Sequence, residues 1–187
     1  MNFQPGNLYH VYNQGNNHES LFLNEDHYFH FLNLFKSNVL PHCEVIAWCL
    51  MPDHFHFMLY MDERCAMLEQ QGGLVLDPVT NGFRKLLSTY SHQFNKRNNR
   101  SGALFRPKTK TKCLSEQSLI ENKGHSLFDY YSTCFLYIHN NPVKAGLVNS
   151  PEKWAWSSYN VYLGNSIVSN ICNKALAVKY CLLNLSG

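Results

Sequence analysis

The chain has 187 residues, enough to bury a core in one domain without disulfide or metal crosslinks. Apolar residues make up 45% and aromatic residues 14%, which predicts a globular protein, and no apolar run reaches the ~18 residues of a membrane-spanning helix. Seven scattered cysteines without a CxxC pair predict free thiols and argue against a zinc ribbon or a thioredoxin site. Because no signal-peptide pattern opens the chain, we expect a cytoplasmic protein with no membrane partner.

The first part of the chain predicts a strand, a helix and a β-hairpin. In chain order, we expect a strand over 8–13, a helix that begins at Glu25 after the cap residue Asn24 and closes at Pro41, and strands over 43–50 and 54–61. The last two strands are joined by a tight turn at 51–53, because Pro presets one backbone angle and Asp favours turns.

The second part predicts a less regular insertion followed by alternating elements. We expect a connecting insertion over 62–82, an amphipathic helix over 83–95, a strand over 104–113, and a helix from Leu127 to about Asn141 that Ser126 caps and Pro142 stops. The order β-α-β-β-α-β predicts an α+β fold, in which a ferredoxin-like antiparallel sheet carries helices on one face. Residues 1–164 would form the domain and 165–187 a C-terminal extension.

Two histidines in the third predicted strand form a candidate metal site. His54 and His56 are one residue apart, so on a strand they point to the same face, where neutral imidazoles can bind one divalent ion. Half-exposed strand histidines are the structural alternative. A histidine-triad hydrolase would need a third His where this chain has Met58, which argues against that class.

The last predicted helix carries a candidate nucleophile. Tyr137 and Asn141 are four residues apart and share a helix face, so a tyrosine hydroxyl that could attack a metal-bound phosphate would lie one turn from an amide oxygen that could serve as a third metal ligand. Core packing before a helix stop is the structural alternative for this segment, and Tyr130 and Tyr131 are rival nucleophiles on the same helix. His139 would lie on a different face and receives no role.

A basic segment predicts a phosphate-binding surface. No Asp or Glu lies between Pro78 and Ser115, a window that holds nine of the sixteen basic residues. The candidate DNA-binding residues are Asn13, Arg84, Lys96, Arg97, Arg100, Arg106, Lys108, Lys110, Lys112 and Lys144. Tyr12 and Phe105 could stack on bases, although core packing is the more common role of such residues.

Four segments together resemble the REP-associated tyrosine transposases, a branch of the single-tyrosine HUH transposases. The matching segments are YHVYNQGN over 9–16, CLMPDHFH over 49–56, YIHNNPVKAG over 137–146 and WAWSSY over 154–159, in family order. They span roughly residues 8 to 164. The chain departs from the family at Gln14, where the motif usually has Arg.

The resemblance implies a ferredoxin-like, HUH endonuclease-like fold with a catalytic helix after it. It implies Tyr137 as the nucleophile and His54, His56 and Asn141 as ligands of Mg²⁺ or Mn²⁺. The implied substrate is hairpin-bearing single-stranded DNA, nicked and rejoined through a 5′-phosphotyrosine, by a monomer or a homodimer. A hairpin-binding protein that has lost cleavage and an unrelated metalloprotein are the alternatives.

Overall fold

A computed structural model describes residues 1–71, 73–115, 127–168, 171–180 and 182. The strands in these ranges are β1 (Leu8–Gln14), β2 (Glu44–Met51), β3 (His54–Tyr60), β4 (Glu69–Gln71), β5 (Leu74–Leu76) and β6 (Lys110–Cys113). The α-helices are α1 (Glu25–Asn38), α2 (Pro78–Arg97), α3 (Leu127–Lys144), α4 (Tyr159–Leu163) and α5 (Lys174–Lys179). The predicted cap Ser126 lies outside the described residues.

Four strands form one antiparallel sheet in the order β2-β3-β1-β6. Strands β2 and β3 make the predicted hairpin, and β1 lies between β3 and β6. With α1 between β1 and β2 and α2 between β3 and β6, the arrangement is the predicted ferredoxin-like one. The fold class expected from the sequence is therefore confirmed.

Helices α1 and α2 cover one face of the sheet. Asn24 caps α1 as predicted, because its side chain accepts a hydrogen bond of 3.2 Å from the backbone N–H of His27. Phe35 of α1 stacks on Phe57 of β3 with ring centroids 4.2 Å apart, and both side chains are fully buried. This face is a closed aromatic and aliphatic core.

Helix α3 packs on the opposite face of the sheet, against β2 and β3. Its Phe135 and Ile138 are buried in one cluster with Ile46 of β2 and Met58 of β3. The sheet is therefore sandwiched between two layers, and the face under α3 carries the histidine pair.

Helix α2 begins five residues earlier than the sequence predicts, at Pro78 rather than Phe83. Asp77 caps it, since its carboxylate accepts a 2.7 Å hydrogen bond from the Thr80 backbone N–H, and Pro78 occupies the first helical position. The Asp-Pro pair, which lies inside the predicted insertion over 62–82, is therefore a helix start. A Cβ on Gly82 would lie 2.2 Å from the Asn38 carbonyl oxygen, so glycine permits the close approach of the two helices.

Two other boundaries differ from the prediction. Helix α3 continues past Pro142 and ends near Gly146, whose φ of 69° suits glycine. The proline removes one backbone donor, but the N–H of Ala145 bonds again to the Asn141 carbonyl at 2.9 Å. Strand β6 covers four residues rather than ten, because Pro107 cannot donate to a ladder with β1.

The C-terminal segment packs on the outer side of β2. The Asn173 backbone N–H bonds to the Val45 carbonyl at 2.8 Å, and Ala177 of α5 is fully buried. The region over 62–82 contains the short β4–β5 hairpin as well as the first turn of α2. Within the described ranges, the helices are too short or too polar to cross a membrane.

Candidate active site

His54 and His56 point to the α3 face of the sheet, as the strand period predicts. Their ring centroids are 5.0 Å apart, while Phe55 between them is fully buried on the other face. His56 lies beside Tyr12 in the β1–β3 register. The alternation of β3 thus places the two imidazoles on the functional side and the phenyl ring in the core.

His10 of β1 holds one nitrogen of His56. The Nε2 of His10 and the Nδ1 of His56 are 2.9 Å apart, and both side chains are buried. Burial lowers the pKa of His56 well below its usual value, and the neighbouring His10 and His54 lower it further. Burial, assisted by the charge of Lys112, lowers the pKa of His10 to about 4. Both imidazoles are therefore neutral near pH 7, the form that binds metals.

Asp53 holds one nitrogen of His54. The Nδ1 of His54 lies 2.5 Å from the Asp53 carboxylate, whose other oxygen accepts a 3.0 Å hydrogen bond from the Gln14 side-chain amide. These hydrogen bonds to Gln14 and His54 outweigh burial and lower the pKa of Asp53. A carboxylate on Nδ1 retains the proton there and leaves the Nε2 lone pair for a metal.

Tyr137 of α3 lies next to the histidine pair. Its ring centroid is 5.5 Å from that of His56 and 6.0 Å from that of His10, and its side chain is 39% exposed. It lines a cavity of about 340 Å³ together with His10, Tyr12, His56 and Lys112. The structure thus brings together the predicted nucleophile and one predicted ligand, although 81 positions separate them in the sequence.

The rival tyrosines occupy different surroundings. Tyr131 is buried, and its hydroxyl donates to the Ser115 hydroxyl at 3.2 Å. Tyr130 lines the same cavity as Tyr137, with the Lys112 ammonium 5.0 Å from its ring centroid. Ring contacts to His56 and His10 are found for Tyr137. Proximity to the imidazoles therefore favours Tyr137.

A buried hydrogen-bond network ties α3 to the sheet. The Nε2 of His139 lies 2.7 Å from the Ser158 hydroxyl, which accepts a 2.8 Å bond from the Trp48 backbone N–H. Burial lowers the pKa of His139 to about 3, so it acts as a neutral partner. His139 thus has a structural contact on the face away from Tyr137, which agrees with giving it no chemical role.

Three side chains of the site could contribute atoms to a metal site. In the described part of the chain, no group of three or more His, Cys, Asp or Glu side chains could hold a metal ion. Among the same residues, the Nε2 of His56 and the amide nitrogen of Asn141 are buried without a hydrogen-bond partner. A half-turn of an amide exchanges its nitrogen and oxygen, so Asn141 can present an oxygen. With the Nε2 of His54, these groups fit a hard or borderline divalent ion.

The predicted basic residues divide into two groups, of which one surrounds the site. Lys110 and Lys112 lie opposite Tyr12 and His10 in the β1–β6 register and therefore share the histidine face. The Lys144 ammonium lies 5.3 Å from the Tyr137 ring centroid. Arg106 and Lys108 line a second cavity beside Tyr12.

The other basic residues lie away from the histidine face. Arg84, Lys96 and Arg97 belong to α2, on the opposite side of the sheet. Arg100 forms an ion pair with Glu19 and bonds to the Ala103 carbonyl.

Asn13 and Phe105 are also engaged within the protein. Asn13 is buried and donates to the Arg106 carbonyl and the Thr109 hydroxyl, which holds the 106–109 segment against β1. Phe105 is buried in the core under α1 and α2, so it offers no platform for a base.

Two residues of the site were missed by the sequence analysis. His10 and Asp53 both bond to a predicted ligand, yet the sequence analysis gave neither a role. Asp53 directly precedes His54, and His10 alternates with Tyr12 in β1, so a strand-period analysis of β1 would have placed His10 and Tyr12 on one face. That this face meets His56 depends on the β1–β3 pairing.

Comparisons with known proteins support the resemblance at the level of the fold. No protein-family model matches the chain, and no curated protein matches it. Five solved chains match. One of them is a REP-associated tyrosine transposase bound to a REP hairpin, with a TM-score of 0.58, 16% sequence identity and 92% of each chain covered. The resemblance recognised in the sequence motifs is thus borne out by a shared fold over nearly the whole length.

Proposed function

We propose that the protein is a transposase or DNA nickase that binds hairpin-bearing single-stranded DNA and cleaves and rejoins it. The observation that carries the proposal is the position of Tyr137, an exposed side chain whose ring centroid lies 5.5 Å from that of His56, in a cavity that a lysine also lines. The fold shared with a hairpin-bound tyrosine transposase supports the substrate class. Lys112, which lines the same cavity, and Lys144, whose ammonium lies 5.3 Å from the Tyr137 ring centroid, supply the positive charge that a phosphate needs.

The proposed reaction is a transesterification at one phosphate. The Tyr137 oxygen forms a bond to phosphorus, and the bond from phosphorus to the 3′ oxygen of the preceding nucleotide breaks. The proton of the tyrosine leaves, the departing 3′ oxygen takes up a proton, and the DNA carries a 5′-phosphotyrosine. Attack by a 3′ hydroxyl on this linkage reverses the step and joins strands without ATP.

The chain's own residues would prepare this step. His54, His56 and Asn141 would hold a Mg²⁺ or Mn²⁺ ion, and Asp53 and His10 would fix the ring orientation of the two imidazoles. When bound, the ion would polarise the scissile phosphate and stabilise its developing charge. Lys144, above the Tyr137 ring, would keep the phosphate and the phenol together.

Tyr137 and the imidazole it approaches belong to the same chain. A monomer can therefore supply both the nucleophile and the ligands in this proposal. A homodimer remains compatible, because α3 could exchange between two copies of the chain.

A covalent-adduct assay tests the proposed chemistry. The protein is incubated with Mn²⁺ and end-labelled hairpin oligonucleotides that carry single-stranded flanks, and SDS gels detect protein–DNA adducts. We expect an adduct with the wild type and none with Tyr137→Phe. Tyr130→Phe is the matched control, because it lies in the same helix and cavity and should keep the adduct. An adduct of normal yield from Tyr137→Phe contradicts the assignment.

A chelation experiment separates the enzyme from a binding protein of the same fold. With EDTA, we expect hairpin binding in a mobility-shift assay to persist while the adduct disappears. Binding without any adduct at every concentration of Mn²⁺ and Mg²⁺ would identify the protein as a catalytically silent hairpin-binding protein. Absence of hairpin binding at low salt would reject both functions.

A further inference from the structure

Tyr12 forms a wall between two cavities. It lines the 340 Å³ cavity that contains Tyr137 and also a neighbouring cavity of about 610 Å³. The larger cavity is lined besides by Asn13, Gln14, Arg106, Pro107, Lys108 and Lys110. A strand of DNA that reaches the proposed nucleophile from this side must therefore cross Tyr12.

The Tyr12 ring is held flat beside the histidines but remains accessible. It stacks on His10 with centroids 4.8 Å apart and an interplanar angle of 29°, and it lies 5.7 Å from His56. Its side chain is still 36% exposed. An aromatic ring fixed by stacking below and open above is a platform for a nucleobase.

The charges around the larger cavity suit a nucleic-acid backbone. Arg106, Lys108 and Lys110 line it, and none of the described residues that line it is acidic. Lys110 lies directly opposite Tyr12 in the β1–β6 register, and Lys112, two residues on, lines the cavity of Tyr137. Two cations on one strand face thus follow the path from the larger cavity to the nucleophile.

We propose that the larger cavity is the subsite of the nucleotide next to the scissile phosphate. Its base stacks on Tyr12, its backbone contacts Lys110, and the adjoining phosphate lies by Lys112 and Tyr137. Its volume is in the usual range of ligand sites. Stacking tolerates any base, while Gln14 and Arg106 at the rim provide polar groups for base edges. This inference rests on the proposed function and adds the position of one nucleotide to it.

Fluorescence of 2-aminopurine tests the subsite without requiring cleavage. The fluorescent base is placed in turn at each single-stranded position flanking the hairpin of the oligonucleotide, and binding is measured with Tyr137→Phe protein in EDTA. We expect quenching at one flanking position, loss of that quenching in Tyr12→Leu, and retention in Tyr12→Phe, which keeps the ring. We also expect Tyr12→Leu to weaken oligonucleotide binding by about 5- to 150-fold.

The outcomes separate the subsite from the proposed function. Quenching that Tyr12→Leu leaves unchanged overturns the subsite, whatever the adduct assay shows. An adduct from Tyr137→Phe contradicts the proposed nucleophile but leaves quenching by Tyr12 intact. Tyr130→Leu serves as the control for removing a tyrosine from the neighbouring cavity and should preserve the quenching. Thermal unfolding of Tyr12→Leu near the wild-type temperature would show that its loss of quenching is local.

Discussion

The two faces of one sheet differ in what they bury. Alternate residues of β3 place Phe55, Phe57 and Leu59 against α1 and α2, where all are fully buried. The residues that alternate with them, His54 and His56 among them, point to the opposite face, which α3 partly covers. Two cavities and the lysines of β6 lie on that face. The same strand therefore serves stability through one set of side chains and the proposed chemistry through the other.

This difference implies that substitutions on the two faces should separate stability from function. The α1–α2 face has rings packed on rings, so a truncated side chain leaves a cavity. The site on the α3 face has the unpaired Nε2 of His56 and the accessible side chains of Tyr12 and Tyr137, so substitutions of these site residues should change binding more than folding. The following predictions run from the largest expected effect to the smallest.

Phe57→Ala should lower the free energy of unfolding by about 3 to 5 kcal/mol, because the fully buried ring stacks on Phe35. Urea denaturation followed by circular dichroism measures the loss. Tyr137→Phe, on the opposite face, should change stability by less than about 0.5 kcal/mol. Equal losses of unfolding free energy in the two variants would contradict the proposal that one face serves stability and the other function.

His10→Leu should weaken Mn²⁺ binding by about 10- to 100-fold, because His56 would lose the hydrogen bond that orients its ring. Titration of the protein with Mn²⁺, followed by electron paramagnetic resonance of the free ion, measures the affinity without DNA. His10→Gln, which retains an acceptor, should recover part of it. Unchanged affinity in His10→Leu would show that His56 does not need this partner.

Lys110→Gln should reduce the slope of log affinity against log salt for single-stranded DNA by about 0.7, the value of one phosphate contact. Lys96→Gln is the matched control, because Lys96 is an exposed lysine of the same basic segment on the far side of the sheet. We expect its slope to equal that of the wild type. The reverse result would place the DNA on the α2 side.

We expect the buried His27 of α1 to make the free energy of unfolding depend slightly on pH. Burial, with the charge of Arg97, lowers the pKa of His27, so the unfolded chain binds a proton at a higher pH than the folded one. Its contribution to stability is therefore present above its unfolded pKa and is lost as the pH falls toward the folded value. The unfolding free energy of His27→Gln should decrease less than that of the wild type between pH 7 and 5, as denaturation at each pH will show.

Local patterns were enough to predict the elements, but not all of their ends. The period of two in β3 predicted which face each histidine would take, since strand geometry leaves no other choice. The start of α2 at Asp77–Pro78 falls inside the predicted insertion, because the same two residue types cap helices and form turns. Pro142 was taken as a stop, yet a proline in the last turn removes one hydrogen bond and the helix still gains two more residues.

The candidate site was predictable only where its parts are local. His54 with His56, and Tyr137 with Asn141, are short-range pairs whose spacing is informative by itself. The bond from His10 to His56 depends on which strands are neighbours, and this register is determined by the whole sheet. The basic residues over 84–112 are continuous in the sequence, and this pattern did not predict that α2 and β6 place them on opposite sides of the sheet.

The hydrogen bonds along the outer edge of β2 also bear on solubility. The Leu50 N–H bonds to the Trp156 carbonyl, and the carbonyls of Trp48 and Val45 accept from Ser158 and Asn173. An uncovered edge strand can template pairing with another chain and begin aggregation. The segment after residue 154 forms hydrogen bonds with these backbone groups. It therefore prevents a strand of another chain from pairing with the edge of the apolar strand β2.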